Sequence, residues 1–197
     1  MDDLQPPSAM KILVIRLSSI GDIVLTTPVV RAIKNQVENV ELHFLTKKAN
    51  EKIVAPNPYI DKVHLYDPED PKTVIKELVA ENFDAVVDLH NNHRSRQVTR
   101  KLQCPLFRYN KVTGRRNICV MLKLNLLPDT HVVDRYFDAV STLNVHNDHK
   151  GLDFFIPEGA DFDEDDLPMV FEDGFVVIVL AGAHATKRIP ASKVVEI

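Results

Sequence analysis

Two cysteines in 197 residues, Cys104 and Cys119, stand far apart and in no pairing motif. That scarcity excludes a small disulfide-stapled scaffold and fits a reduced, cytoplasmic setting. Long apolar runs are also missing: the longest uncharged stretch, residues 174–183, is well short of the ~20 residues that cross a bilayer. Residues 1–9 are acidic and hold two prolines where a secretory signal needs positive charge and then an apolar run, so they read as a disordered leader. Glycine is sparse, at 6 residues, and no G-x-G-x-x-G follows the first strand. A dinucleotide pyrophosphate has no cradle there, which disfavours a nicotinamide-dependent oxidoreductase.

Acidic residues are absent from one long segment. Between Asn91 and Pro128 there are nine basic residues and no Asp or Glu, inside a chain of net charge -4. So many cations without local acids call for an anionic partner, because guanidinium groups grip phosphate and carboxylate alike. Aromatics in that segment are confined to Phe107 and Tyr109, which leaves base stacking without support and argues against nucleic acid. Conversely, Gly151 to Thr186 holds nine acids and no Lys or Arg, and its densest run, Asp161 to Asp166, reads as a solvated linker.

What is present is β-α alternation. Runs rich in β-branched residues at 11–17, 40–46, 62–66, 84–89 and 106–109 predict strands, with stretches between them long enough for helices. Helices are expected over 23–36, with Pro28 in the first turn after a Thr27 cap or kinking it, over 47–54, from Pro71, over 115–127 and over 131–143. Right-handed crossovers assemble such units into a doubly wound parallel sheet of Rossmann-like α/β class. A further apolar strand, 175–180, begins a unit that the chain leaves one turn or two into its helix. The expected organisation is a leader (1–9), a Rossmann-like domain (10–156) and an acidic linker (157–173), after which residues 174–197 either dock on that domain as its last β-α unit or are the first strand and turn of a second domain.

Chemistry concentrates where strands end. Residues 18–28 read S-S-I-G-D-I-V-L-T-T-P, which puts Gly21 and Asp22 in the first strand-to-helix turn, the rim at which open α/β sheets bind ligands. Asp22 there is either a helix N-cap or a reagent, and Gly21 lets a ligand approach the backbone. The exit of the fourth strand, D-L-H-N-N-H-R-S-R from Asp88 to Arg96, faces the same rim. His90 and His93, like His146 and His149, have H-x-x-H spacing without a completing ligand set, so no metal is assigned. The terminal Gly182-Ala-His-Ala-Thr-Lys-Arg-Ile-Pro190 offers backbone donors and positive charge before a helix, which suits phosphate.

Taken together, S-S-I-G-D-I-V-L-T-T-P-V-V, D-A-V-V-D-L-H-N-N-H-R-S-R, H-V-V-D-R-Y and G-A-H-A-T-K-R-I-P resemble glycosyltransferase family 9, the lipopolysaccharide heptosyltransferases. The resemblance implies the amino-terminal half of a GT-B architecture, in which this domain binds the acceptor and a second domain binds the nucleotide-sugar donor. It implies an inverting, metal-independent transfer with no cofactor, from an ADP-heptose-like co-substrate to a lipopolysaccharide core or similar anionic glycolipid. Asp22 aligns with the catalytic base, which partial desolvation would have to strengthen, and Lys187 with the lysine that meets the donor phosphates. Ser19, Gly21, His90, Arg94, Arg96, Arg115 and Arg116 are the acceptor-binding candidates, and Gly182, Thr186, Lys187 and Arg188 the donor-binding ones. Ile189 stands where the family's K-x-W-P pattern has tryptophan, so the transferred sugar stays open. The 197-residue chain alone is expected to be inactive, and to work in the cytoplasm or peripherally on the inner face of the membrane. A non-catalytic Rossmann-like module that binds an anionic polymer or partner is the alternative from a different class.

Overall fold

A computed structural model of the chain describes residues 9–111, 130–160, 168, 174–176 and 188–194. The chain divides into two compact units, Met1–Ala160 and Asp161–Ile197. The first unit is built on a sheet of β1 (Met10–Ile15), β2 (Val40–Lys47), β3 (Lys62–Tyr66), β4 (Ala85–Asp88) and β5 (Leu106–Arg108). All its pairings are parallel, and the spatial order is β3-β2-β1-β4-β5. This is a doubly wound parallel sheet, the class expected from the alternation.

β1 shows why the strands read as unbroken apolar runs. Its successive side chains point to opposite faces, and each face carries a core: Ile12 and Val14 pack with one helix layer, Leu13 and Ile15 with the other. A parallel strand covered on both sides has no face left for polar residues. The register sets Ile12 beside Leu42 of β2 and Ala85 of β4, so β1 is the centre from which the chain winds both ways. The order reverses between β1 and β4, and there the two connections leave to opposite faces, the position at whose carboxyl ends open α/β sheets bind ligands.

The helices follow with local corrections. The continuous helix expected over 23–36 is two: α1 (Ile20–Val24) and α2 (Thr27–Gln36). Thr26, not Thr27, caps α2, its hydroxyl donates to the Ile23 carbonyl at 2.6 Å, and Pro28 lies in the first turn of α2, where its missing N–H costs nothing. β2 runs on through Lys47, so the second helix is shorter than expected, a 3₁₀ turn over Lys48–Asn50 and then α3 (Glu51–Val54). α4 (Pro71–Ala80) starts as predicted at its proline, capped by Asp70, whose side chain accepts from the Thr73 N–H at 3.2 Å. α5 (His93–Thr99) follows β4, and α6 (Val132–Val140) buries Val133, Tyr136, Phe137 and Val140. A short α7 (Ala191–Val194) belongs to the second unit. The helix expected over 115–127, the acidic run 161–166 and most of the strand expected over 175–180 lie outside the described residues.

One buried cation ties the end of the first unit to its start. Arg31 of α2, 3% exposed, is bound by Asp148 through Nε and Nη2 (2.8 and 2.7 Å), by Asp153 through Nη1, and by the Gly151 carbonyl at 3.0 Å. Hydrogen bonds from Arg31 hold the Asp148 carboxyl far below the usual carboxylate range.

Candidate functional site

The turn after β1 is short, and its capping is shared. Ser19 is the N-cap of α1, and Asp22 is the third helical residue whose carboxylate reaches back in a capping box. Asp22 is therefore not the N-cap itself. Its Oδ2 accepts from the Ser19 hydroxyl at 2.7 Å and the Ser19 N–H at 3.2 Å, and pairs with Arg16 Nη2 at 2.7 Å. Those contacts converge on one oxygen. Oδ1 accepts no hydrogen bond from the described residues, and the side chain is 39% exposed. Gly21 beside it has open space where a Cβ would stand.

Burial acts to raise the Asp22 pKa, but the Ser19 hydrogen bonds and the Arg16 charge together outweigh it and hold the carboxyl below its ordinary value. The desolvated, strengthened base expected from the mechanism is not the state of this residue here. Asp22 is a fixed carboxylate.

Arg16 is the residue that organises the turn, and sequence reasoning passed over it as part of a strand. It sits just past β1, 6% exposed. Its Nε donates to the Ser18 carbonyl (2.8 Å), and its Nη1 to the Leu89 carbonyl (2.6 Å) and the Tyr136 hydroxyl (3.0 Å). One guanidinium thus joins the exits of β1 and β4, helix α6 and Asp22 across the switch point. Five fixed donors make arginine the side chain for that task. The only local signal was a charge ending an otherwise apolar run.

The β4 exit supplies the opposite wall. Asp88, fully buried, receives the N–H groups of His90 (3.1 Å) and Asn91 (2.7 Å) on Oδ1, and Ser95 Oγ and Arg108 Nε, each at 3.0 Å, on Oδ2. A buried charge satisfied this fully is a scaffold. It also removes Arg108 from the cations that seemed to lack local acids. Asn91 turns the chain in the left-handed region (φ 44) and donates through Nδ2 to the Tyr109 carbonyl at 2.8 Å.

His90 is presented by this loop, 7% exposed. The Asn92 side-chain oxygen is occupied by the Ser95 N–H, so its amide nitrogen donates to His90 Nε2 at 2.6 Å and the imidazole proton resides on Nδ1. That Nδ1 is buried without a partner among the described residues. Burial, then the positive charges of Arg16 and Lys111, push the ring down to about 4, so it is neutral at physiological pH. Lys111 is lowered too, by burial first and then by Arg16, and it feels Asp88, Asp22 and Arg96. Lys111 was not among the predicted site residues.

The structure thus brings Ser19, Gly21, Asp22, His90 and Arg96 to one rim, and adds Arg16 and Lys111. Arg96 is exposed and hydrogen-bonds Asn91 through Nε at 3.0 Å. Arg94 faces elsewhere: its charge acts on Tyr66, which with Lys47, Lys48 and Asp67 lines an open hollow of about 460 Å³ at the exits of β2 and β3. Arg115, Arg116, Gly182, Thr186 and Lys187 lie outside the described residues, and Arg188 is an exposed residue of the second unit.

A fixed carboxylate among cations, at the switch point of a Rossmann-like sheet, is an arrangement suited to an anionic or hydroxylated ligand. Comparison with known proteins narrows the class. Over 154 residues the chain is 31% identical to lipopolysaccharide heptosyltransferase 1 of Campylobacter coli, a match covering 74% of this chain and 45% of that protein. Among solved structures it resembles a family 9 glycosyl transferase from Veillonella parvula, with a TM-score of 0.59 at 20% identity, over 78% of this chain and 47% of that one. It also resembles the E. coli heptosyltransferase WaaC with ADP, with a TM-score of 0.58 at 20% identity, over 73% of this chain and 50% of that one. No family model matches the chain. The sequence match supports a member of glycosyltransferase family 9, amino-terminal part, and the solved structures share its fold. The chain spans about half the length of the relatives it matches.

Proposed function

We propose that this chain is the acceptor-binding part of an inverting, metal-independent glycosyltransferase, which moves a heptose-like sugar from a nucleoside diphosphate donor to a lipopolysaccharide core or similar anionic glycolipid. The observation that carries the reading is Asp22: a carboxylate at the switch point, clamped through Oδ2, whose Oδ1 accepts no hydrogen bond from the described residues. Oδ1 takes the proton of the acceptor hydroxyl as its oxygen attacks the anomeric carbon and the nucleoside diphosphate departs.

A low pKa suits this if proton transfer follows bond formation. As the C–O bond forms, the attacking oxygen takes on oxonium character and its proton becomes strongly acidic, so a weak carboxylate base suffices, and ionisation at neutral pH is guaranteed. Arg16 aims the base, which makes it a positioning residue. Arg96 and Lys111 provide cationic contacts for acceptor phosphates or acidic sugars, and the orphan Nδ1–H of His90 gives a neutral donor to an acceptor oxygen. Domain limits follow the same reading: acceptor domain 10–156, linker 157–173, and from 174 the first strand and turn of the donor domain, in which Gly182, Thr186, Lys187 and Arg188 meet the diphosphate. The chain alone is then inactive. No described helix is long and apolar enough to cross a membrane, and we place the protein in the cytoplasm, peripheral to the membrane that carries its acceptor.

The test joins this part to a donor-binding half and assays transfer. Asp22→Asn should lower turnover by about 10²- to 10⁴-fold, the range for loss of a general base, with acceptor affinity unchanged. Normal turnover in that variant ends the base assignment, and absence of transfer by the unaltered protein favours a non-catalytic binding module.

A further inference from the structure

Toward the amino ends of the strands, away from Asp22, two buried imidazoles meet. His43 of β2 and His64 of β3 lie on the face that carries Leu13, Leu45 and Tyr66, and His43 Nδ1 is 2.9 Å from His64 Nε2. Both rings stand edge-on to Phe83, with centroids 5.1 and 6.1 Å away. His43 is wholly enclosed and His64 is 9% exposed. Glu81, just past the end of α4, brings a carboxylate to the same point, so that one ligand atom from each of the three residues lies within 4.8 Å of the other two.

The hydrogen bonds assign the His43 tautomer. Its Nε2 faces Glu41 Oε1 at 2.8 Å, and a carboxylate only accepts, so the proton sits on Nε2 and Nδ1 presents a lone pair to His64. A ligating histidine whose other nitrogen is tied to a carboxylate is the arrangement that fixes ring orientation and raises basicity in metal sites. Nothing in the glycosyl-transfer reading uses these residues.

We propose that His43 Nδ1, His64 Nε2 and the Glu81 carboxylate form a binding site for a divalent transition metal of the zinc class, with Glu41 orienting His43 and water completing four-coordination. Zinc bonds of about 2.0–2.2 Å set ligand atoms roughly 3.3 Å apart. The paired nitrogens therefore open by a few tenths of an ångström, the carboxylate closes in by up to roughly 1.5 Å, and His64 carries its proton on Nδ1 instead. Glu81 is at present neutralised by Lys62 and by Lys11, the latter at 3.3 Å. Lys62 is half exposed, so its ammonium can leave for water as the dication takes over its role. The metal would join β2, β3 and the end of α4, a structural tie remote from the transfer chemistry.

Titration of metal-free protein with Zn²⁺ by calorimetry, and with Co²⁺ by visible absorption, tests this. One equivalent should bind, Co²⁺ should show the intense d–d bands of a tetrahedral site, and Zn²⁺ should raise Tm. His64→Gln and Glu81→Gln should each weaken binding at least about tenfold and abolish the Tm rise, while Lys62→Ala, which removes the competing ammonium, should tighten it. Should His64→Gln fail to fold, the part-exposed Glu81 and the exposed Lys62 carry the test. Substoichiometric binding at micromolar metal overturns the proposal. So does unchanged affinity in the Glu81 and Lys62 variants, which would move the metal to exposed histidines such as His149.

Discussion

At the scale of single residues, the candidate site is a set of charges that keep one another in defined states. Asp22 stays ionised because Ser19 and Arg16 offset its partial burial. A carboxyl titration followed by NMR should place Asp22 below the ordinary carboxylate value, and in Arg16→Gln its pKa should rise; an unmoved value would remove Arg16 from the positioning role. His90 carries the opposite sign. Its ring titrates near 4 when folded and near ~6.5 when unfolded, so between those values the unfolded chain binds more protons. Stability should therefore fall as pH drops from about 6.5 to about 4, by up to roughly 3 kcal/mol from this residue, and hold steady with respect to it above that window. Urea midpoints measured against pH should show a shallower slope in His90→Gln. An identical slope would mean that the ring is not buried in its neutral form.

At the scale of elements, short-range chemistry sets where helices begin and long-range chemistry sets what they hold. The split between α1 and α2 follows from Thr26 and Pro28, while the capping box with Ser19 at the start of α1 aims Asp22. The Arg31 clamp joins α2 to residues 148–153 through a buried guanidinium and two partly exposed carboxylates. Arg31→Met should cost about 2–3 kcal/mol in chemical denaturation, less than the ~3–5 of a fully buried pair because Asp148 and Asp153 reach water when abandoned. A loss under about 0.5 kcal/mol would reduce the clamp to an ordinary surface pair.

At the scale of the molecule, the chain covers about half of the relatives it matches, and the proposed reaction needs both halves. Calorimetry on the chain alone should detect no nucleotide-sugar affinity, and micromolar binding would contradict the division of labour. Arg96→Glu should weaken binding of a phosphorylated acceptor and flatten its salt dependence, since one screened attraction becomes a repulsion. Unchanged affinity would return Arg96 to a solvated helix face.

The sequence by itself determined the strands, the doubly wound parallel class of their sheet and the rim at which Asp22, His90 and Arg96 gather, because apolar runs, turn residues and helix starts are local patterns. It also carried the family resemblance that the comparisons support. Only the tertiary structure decided which charges are fixed and which are free. Arg16 meets Leu89 across 73 residues and Tyr136 across 120, and Arg108 is claimed by a buried Asp88 that it pairs with from the neighbouring strand. His43 and His64, separated by 21 residues, become a pair when β2 and β3 align. Ionisation and pairing depend on distance and burial in space, and those quantities exist once the chain has folded.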